Sequence, residues 1–582
     1  MLWHSYYLHG AVTHDSFQDE HIVDQGTQYR YVSGFQGAAR DPVQHVLPLI
    51  ETRPDLARSV IRMTLKSMFR GFTRNVEPDH PAALPYALYG RGIIADGRYN
   101  PMMTGAMRSG QHGGVDANVT AGAGSAAIRP DDMELYLLLC AAEYLLATKD
   151  LAFLDETVSF FDRQGPGRTV KAGLLEALRF VTDAVGLGPH GLLRELTSDW
   201  DDGIAVRPDF PNNFTISESV LTSALATHSL ARFGAALRLA GDEQNATVAE
   251  AMARKLRTAI IDQAFNGKWL RRAWFGPETG WIGDRGPTAL HAPGVFSAQH
   301  GWAMLGGSFD DAPAALNASL VSLQAHCREG WRFGYAYICS RGPTTAGNDA
   351  ATGRRLQQYP NAPGMWPAVN HPTVLGLLAV NRTELAWTEF ERNTLDWQAR
   401  VSPDIWTGIW TGSDSVDDSG LPSEWTFSFP ALCVHRHAWP LFSLRHLAGI
   451  HYTADGILLR PGGVPARLGS YSWSTPLSAI AWDEDRLEWS GHYSCAQTPP
   501  TAAARAATTS CNVAVQVDLS LVIERLSPEP PSSGQRRAVR LQLWTNTGTS
   551  LLADVVTEGP SVIAPVVVDA RGLRFSVRLV AA

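Results

Sequence analysis

An acidic cluster at residues 199–203 is the part of this sequence best suited to chemistry. Asp199-Trp200-Asp201-Asp202-Gly203 places three carboxyl groups within one turn, next to an indole ring. Carboxylates this close resist ionising together, and a tryptophan wall lowers the local dielectric, so one aspartic acid can keep its proton near neutral pH. A protonated carboxyl beside a bridging oxygen is the acid that cleavage of a glycosidic bond requires. The same residues would also suit a calcium-binding loop or a solvated Asp-Gly turn between helices.

Helices are expected to position this cluster, because apolar residues recur at helical spacing from about residue 40 to about residue 450. Amphipathic helices are predicted in 41–50, 132–146 and 217–225. Long connections rich in Gly, Pro, Asp and Trp run through 98–130, 275–296 and 403–428. They are too long for simple turns and are typical of loops that build a site. Because no fixed sequence period links the segments, we predict a mainly α fold, a helical barrel rather than a superhelical repeat array.

The pattern changes after residue 450 to short β-type runs separated by turn-forming residues. Strands are predicted in 456–461, 537–544, 561–568 and 573–580. We therefore predict two domains: a barrel over residues 1–450 and a C-terminal antiparallel, β-sandwich-like domain over residues 451–582.

Composition excludes several classes of partner. A formal charge of −8 and a pI near 6.1 provide no basic surface for nucleic acid. No stretch approaches the roughly 18 uninterrupted apolar residues of a membrane span. The 18 tryptophans favour a carbohydrate ligand, because indole faces stack on the C–H faces of sugar rings, although most must serve the core. The six cysteines lack CxxC or Cys/His metal spacing, so we expect free thiols, no metal site and no cofactor.

The start of the chain and its Asn-x-Ser/Thr tripeptides bear on the compartment of the protein. No basic segment followed by an apolar one opens the chain, which favours a cytoplasmic protein. Five Asn-x-Ser/Thr tripeptides keep a secreted protein as the alternative: Asn118, Asn213, Asn245, Asn317 and Asn381. A homodimer is compatible with the sequence.

The acidic cluster and its neighbours also match a longer pattern. Asp199-Trp-Asp-Asp-Gly203, followed by Ser217-Glu-Ser-Val220, resembles the Gly-Asp-Trp-Asn-Asp-Gly and Gly-Glu-Ser-Val motifs of glycoside hydrolase family 94. That family comprises cellobiose and chitobiose phosphorylases, formerly glycosyltransferase family 36. Further similar blocks occur in family order at 37–44, 131–132, 142–156, 265–274, 282–284 and 299–302. The chain is identified as a divergent member that lacks the family's N-terminal β-sandwich, and the resemblance implies an (α/α)6 six-hairpin barrel followed by a β domain.

The resemblance assigns roles to individual residues. Asp202 corresponds to the family's general acid, and Asp201 replaces an Asn, which adds a negative charge that should raise the pKa of the acid. Substrate binding is assigned to Arg40, Asp41, Asp199, Trp200, Glu218 and Gln299. Trp200 would wall the sugar, and Asp41 would accept hydrogen bonds from sugar hydroxyls. A helix-capping ion pair is the alternative for Arg40 and Asp41.

The nucleophile leaves two mechanisms open. A phosphorylase binds inorganic phosphate as its co-substrate and needs cationic and hydroxyl donors. His371 lies near the position of the family's phosphate-binding His, with a longer spacing. The family's phosphate-binding Thr is absent, and Arg436 or His437 would replace it.

An inverting hydrolase instead needs a second carboxylate, about 6.5–9.5 Å from the acid, to activate water. Asp404, Asp414 and Glu424 are candidates, although they would equally suit helix caps or a solvated loop. We predict inverting cleavage of β-linked glucosides by phosphorolysis, with hydrolysis as the alternative. A non-catalytic carbohydrate-binding barrel is disfavoured because Asp199, Asp202 and Glu218 are intact.

Overall fold

Helices dominate the first part of the computed structural model and strands dominate the last part. The structure describes residues 1–15, 18–24, 40–66, 68, 131–160, 165–195, 199–200, 216–284, 295–337, 339, 364–403, 412, 415–416, 425–426, 429–430, 433–460, 463–486, 488–493, 511–518, 537–545, 551–557, 561–568 and 573–581. The predicted loop at 98–130 and most of the loop at 403–428 lie outside these residues.

The described helices are numbered in chain order. They are α1 (Leu2–Gly10), α2 (Arg40–His45), α3 (Pro54–Lys66), α4 (Met133–Thr148), α5 (Val170–Arg179), α6 (Val220–Leu239), α7 (Glu243–Ala259), α8 (Ala298–Leu305), α9 (Pro313–Ser322), α10 (Pro367–Ala379), α11 (Thr383–Arg392), α12 (Leu395–Val401) and α13 (His435–Leu447). Helices α5, α7 and α9 continue into π-helical turns at 180–185, 260–264 and 323–328.

Six of these helices contact one another in a closed ring. Going round it, α2 packs on α4, α4 on α6, α6 on α8, α8 on α10, α10 on α13, and α13 again on α2. Most of the other helices pack outside the ring: α3 and α5 against α4, α7 against α6, α11 against α10, and α1 against α13. The short helix α2 is thus the first helix of the ring, and its contact with α13, the last one, closes the ring.

Burial separates the ring from the outer layer. Every residue of α4 is buried, as are all but the last residue of α10. The outer helix α7 buries only one stripe, Ala246, Ala249, Ala253 and Leu256, at helical spacing. Within the part of the chain that the structure describes, no helix is both long and apolar enough to cross a membrane.

The predicted helix at 217–225 begins later than expected. Glu218 and Ser219 form the short strand β5, which pairs with β6 at residues 273–274, and α6 begins at Val220. The Ser219 hydroxyl accepts the N–H of Thr222 and so caps the helix. This strand matters for the site, because it holds residues 218–219 in an extended conformation.

The remaining strands are short in the helical region and long after residue 450. In chain order they are β1 (Val12–Asp15), β2 (Glu20–Val23), β3 (Thr157–Val158), β4 (Arg168–Thr169), β5 (Glu218–Ser219), β6 (Ala273–Trp274), β7 (Trp281–Ile282), β8 (Trp425–Thr426), β9 (Phe429–Pro430), β10 (Ile450–Tyr452), β11 (Gly456–Leu459), β12 (Tyr471–Ser474), β13 (Ser478–Asp483), β14 (Glu488–Tyr493), β15 (Cys511–Asp518), β16 (Arg537–Thr545), β17 (Leu551–Thr557), β18 (Ser561–Val568) and β19 (Leu573–Ala581).

The C-terminal strands form two sheets, with orders β10-β11-β15-β18 and β12-β13-β14-β19-β16-β17. All four predicted C-terminal strands are present, as β11, β16, β18 and β19. The expectation of purely antiparallel pairing is wrong at one place, because β11 and β15 run parallel. The long connection between them allows the chain to return in the same direction. Pro565 lies in β18, an edge strand of its sheet, and edge strands are where sheets most readily accommodate proline.

The cysteines depart from the expected free thiols. Cys327 and Cys339 form a disulfide, with their Cα atoms 4.3 Å apart. The chain reverses between them, and Ala336 donates its N–H to the Cys327 carbonyl, which brings two cysteines 12 residues apart into contact. Cys140 and Cys433 are buried and take part in no disulfide.

Candidate active site

Arg40 joins the start of the ring to the acidic cluster. Its guanidinium donates to the carbonyls of Asp199 and Trp200 at 3.2 and 3.1 Å, and to the Asp132 carboxylate at 3.2 Å. Arg40 is buried, so these bonds form in a low dielectric. One planar side chain thus fixes the backbone immediately before Asp201 and Asp202.

Asp199 is held by a buried ion pair. Both of its carboxylate oxygens lie 2.6 Å from guanidinium nitrogens of Arg272, and the Ser219 hydroxyl donates to it at 2.7 Å. Burial by itself lowers the pKa of Arg272. The charge of Asp199 and the neighbouring Tyr337 raise this pKa by more than burial lowers it, so the net pKa lies well above its ordinary value. The pair anchors the turn through both backbone and side chain.

Further carboxyl groups surround Asp199. Burial, followed by the charges of Asp199, Glu195 and Asp132, raises the pKa of Asp131 well above its usual range. Asp131 accepts a hydrogen bond from the Thr222 hydroxyl at 2.6 Å, which lowers its pKa by less than burial and the neighbouring charges raise it. Burial and the neighbouring negative charges therefore both favour the protonated form of this carboxyl group.

Aromatic rings form a wall beside this turn. The Trp200 ring lies 5.5 Å from that of Tyr337 and 5.4 Å from that of Trp366, both edge to face. Phe296 packs edge to face on Tyr337 at 5.5 Å. Such a wall can stack on a sugar ring and lowers the dielectric around neighbouring carboxyl groups.

Asp41 is oriented by two histidines. Its Oδ1 lies 3.2 Å from Nε2 of His435, and His435 in turn contacts His45. Burial by itself raises the pKa of Asp41, but the hydrogen bond from His435 and the positive charges nearby, including Arg40, lower it overall. Asp41 therefore remains an ionised hydrogen-bond acceptor, as a residue that contacts sugar hydroxyls requires.

Glu218 and Gln299 support loops close to the ion pair. Glu218 is fully buried and accepts hydrogen bonds from the backbone and the ring of His190. The Gln299 amide donates to the Leu270 carbonyl at 2.8 Å, two residues before Arg272. Both residues thus hold neighbouring backbone segments in place. Their contacts with substrate remain predictions.

The three candidate phosphate ligands lie near one another. Arg436 donates to the Gln398 side chain at 2.8 Å. Burial, and then the charge of Arg436, lower the pKa of His371 well below its ordinary value. His437 stacks on Tyr7 with ring centroids 4.8 Å apart, and its pKa is lowered by burial and by the charges of neighbouring basic groups. A buried guanidinium with neutral histidines beside it is a donor set suited to an anion.

Four predicted site residues lie outside the described residues: Asp202, Asp404, Asp414 and Glu424. Their neighbours are nevertheless anchored. Met365 and Val416 exchange backbone hydrogen bonds at 2.9 and 3.2 Å. A Cβ atom at Gly412 would lie 2.3 Å from Cγ of Arg436, so the chain passes directly against this arginine.

Sequence reasoning did not single out Arg272, Tyr337 or Trp366. Arg272 lies within the family-like block 265–274, so its basic residues could have been proposed as partners for the acidic cluster. Nothing local distinguishes Tyr337 or Trp366 from aromatic residues of the core. Their importance follows only from their contacts with Trp200.

The fold and these contacts describe a helical enzyme-like site built around an acidic turn. The profile of the glycosyl hydrolase 94 superfamily catalytic domain matches residues 25–324, which is more than half of the 582-residue chain. The chain belongs to this superfamily, which confirms the predicted membership, and it carries the catalytic domain of a carbohydrate-active enzyme.

Two solved structures are similar to the chain. One is an α-L-rhamnosidase from Dictyoglumus thermophilum, with 11% identity and a TM-score of 0.44, covering 94% of this chain and 46% of that one. The other is a GH78 family rhamnosidase of Bacillus sp. GL1, with 12% identity and a TM-score of 0.38, covering 63% of this chain and 31% of that one. The chain thus spans less than half the length of either rhamnosidase. A search of curated proteins found no match.

The contacts of Arg40 lead to a testable expectation. Arg40→Lys keeps the charge opposite Asp132 but loses the fork that reaches two carbonyls, so the turn should shift. We expect kcat/KM to fall by about 10²-fold, the loss typical of a small misplacement of catalytic groups. Steady-state kinetics would measure this, with Arg62→Lys on α3 as the control, because Arg62 pairs with Glu20 away from the turn. An unchanged kcat/KM for Arg40→Lys would show that the clamp does not position the reacting groups.

Proposed function

We propose that the protein cleaves β-linked glucosides in oligosaccharides with inversion, by phosphorolysis that yields a sugar 1-phosphate. The observation that carries this proposal is the clamp of Arg40 on the carbonyls of Asp199 and Trp200. It brings an ionised Asp41 and an aromatic wall to the turn that bears Asp202. A sugar held there would have its bridging oxygen next to an acid.

The framework of this proposal is an (α/α)6 barrel. Five of the six ring helices pack against an outer helix that directly precedes or follows them round the chain, α2 with α3, α4 with α5, α6 with α7, α10 with α11 and α13 with α1, which is the arrangement that helical hairpins produce. In such a barrel the loops at one end of the ring build the site. The turn at 199–200, the start of α2 and the start of α13 contribute neighbouring residues here, as one end of a barrel would require.

Asp202 is the proposed general acid. Beside the described part of the turn, burial and the charges of Asp199, Glu195 and Asp132 raise the pKa of Asp131. A carboxyl group entering this negative, tryptophan-walled region would also tend to keep its proton. The acid would protonate the leaving oxygen while the nucleophile attacks the opposite face of the sugar.

Phosphate is the proposed nucleophile, held by Arg436 and His371. Trp366 contacts the Trp200 ring and is the N-cap of α10, and His371 lies five residues further along, about 7.5 Å of helix. The positive charge of Arg436 acts on the same histidine. An anion site is thereby linked to the aromatic wall through one rigid helix.

Hydrolysis remains the second candidate, and one observation favours it. The backbone pairing of Val416 with Met365 ties the loop that carries Asp404, Asp414 and Glu424 to the residue preceding Trp366. A carboxylate from this loop could activate water opposite the acid.

Kinetics with and without phosphate would decide between the two nucleophiles. If phosphate attacks, the rate rises saturably with phosphate and the product from a β-linked glucobiose is an α-sugar 1-phosphate, visible by NMR. Arg436→Ala should then raise the apparent KM for phosphate by about 10–100-fold, the value of a charge-assisted hydrogen bond, with a smaller change in the KM for sugar.

Arg271→Ala is the control for Arg436→Ala, because Arg271 pairs with Asp284 outside this cluster and should leave the ratio of the two KM values unchanged. Turnover in phosphate-free buffer, lost when Asp404, Asp414 or Glu424 is neutralised, would instead identify water as the nucleophile. Absence of turnover on any glycoside would favour a carbohydrate-binding barrel.

A further inference from the structure

A second cluster of reactive side chains joins α2 to the start of α13. His45 ends α2, His435 begins α13, and Cys433 precedes it by two residues. All three are buried, and one ligand atom from each lies within 4.8 Å of the others. The ring nitrogens Nε2 of His45 and Nδ1 of His435 are 3.1 Å apart.

The hydrogen bonds of His45 fix its tautomer. Its Nδ1 lies 3.1 Å from the Asp24 carbonyl and 3.3 Å from the Val23 carbonyl. Carbonyl oxygens only accept, so Nδ1 carries the hydrogen. In the neutral ring, Nε2 of His45 then carries no hydrogen, and its lone pair is directed at His435.

The hydrogen bond of His435 to Asp41 fixes its tautomer as well. Nε2 of His435 faces the Asp41 carboxylate at 3.2 Å, so this nitrogen carries a hydrogen and Nδ1 keeps a lone pair. Two lone pairs then point at each other across 3.1 Å. Such a contact is repulsive unless an electrophile, either a proton or a metal ion, binds both nitrogens.

We propose that His45, His435 and Cys433 bind a zinc ion. Zn–N bonds of about 2.0–2.1 Å bring two ligand nitrogens to roughly the separation seen here, and a thiolate with two imidazoles is a soft set that zinc prefers. The thiol of Cys433 would release its proton to solvent as the metal binds. Water would complete the tetrahedron.

The surroundings have the form of a metal site. In zinc proteins a ligating histidine donates its second N–H to a carboxylate or a backbone carbonyl, which orients the ring. His435 donates to Asp41 in this way, and His45 donates to two carbonyls. The ion would link the first ring helix to the last and hold Asp41 in place beside Arg40.

Metal analysis of the full chain tests the proposal. Tag-free protein, purified from zinc-supplemented cells and dialysed, should contain about one zinc per chain. Replacing zinc with cobalt(II) should produce a thiolate-to-cobalt charge-transfer band. Chelator should lower Tm, and added zinc should restore it.

Two variants remove ligands and one serves as the matched control. Cys433→Ser and His45→Gln should reduce bound zinc by at least about tenfold, since even the loss of outer partners weakens metal sites by 10–100-fold. Cys140→Ser changes a different buried cysteine, on α4, and should keep both zinc and the cobalt band.

The decisive measurement is made on the wild-type protein. The proposal can therefore still be overturned if a variant misfolds. Wild-type protein without zinc, whose Tm responds to neither chelator nor added zinc, would mean that a proton bridges the two histidines. Full zinc content and an unchanged cobalt band in Cys433→Ser would exclude the thiolate as a ligand.

Discussion

Asp202→Asn should lower kcat by about 10²–10⁴-fold, the usual contribution of a general acid, while the protein remains folded. The amide cannot donate a proton to the departing oxygen, so the loss should be largest for sugars with poor leaving groups. A glycosyl fluoride needs no protonation, and its cleavage should fall much less. Initial rates on both substrates, with circular dichroism to check folding, would measure the difference.

Asp201→Asn is the matched control, because it restores the residue found in the family motif. It should retain activity. Removing a neighbouring negative charge makes the acid easier to ionise, so the alkaline limb of the kcat profile should move to lower pH. A folded Asp202→Asn protein with wild-type rates on natural substrates would show that the acid lies elsewhere.

Arg272→Met should lower the free energy of unfolding by about 3–5 kcal/mol, because it leaves the buried carboxylate of Asp199 without its guanidinium. Both side chains of this pair are 0% exposed, so water cannot replace the lost partner. Denaturant unfolding would measure the change. Activity should fall as well, because Asp199 anchors the turn that Arg40 clamps.

Two comparisons separate the buried charge from general loss of packing. The double variant Asp199→Asn with Arg272→Met removes both charges and should recover much of the lost stability. Arg53→Met breaks the exposed pair with Asp55 and should cost at most about 1 kcal/mol. Equal losses for Arg272→Met and the double variant would show that packing around Arg272, rather than its charge, stabilises the turn.

The candidate site was predictable where its residues lie close in the sequence. The acidic turn is recognisable from five consecutive residues, and Arg40 and Asp41 are adjacent in the sequence. The ion pair of Asp199 with Arg272 was not predicted, because 73 residues separate the partners and an arginine in a helical protein has many possible carboxylates. The same holds for the wall of Trp200, Tyr337 and Trp366, which comes from three distant segments.

The histidines and cysteines show what the spacing of residues in the sequence cannot predict. The sequence contains no Cys/His motif with short metal-binding spacing, yet His45 contacts His435 across 390 positions. The two ends of the helical region have to close on each other before these rings can touch. The Cys327–Cys339 disulfide likewise depends on a chain reversal between the two residues that composition does not reveal.

The sequence by itself determined the helical region, the C-terminal strands and membership of the superfamily. Helices and strands follow from local hydrogen bonding and from the periodic placement of apolar residues, both of which are written in short segments. Only the tertiary structure decided which charges meet, that one strand pair is parallel, and that α2 and α13 close the ring. Those outcomes depend on long-range packing, where many partners are chemically equivalent until the chain brings two of them together.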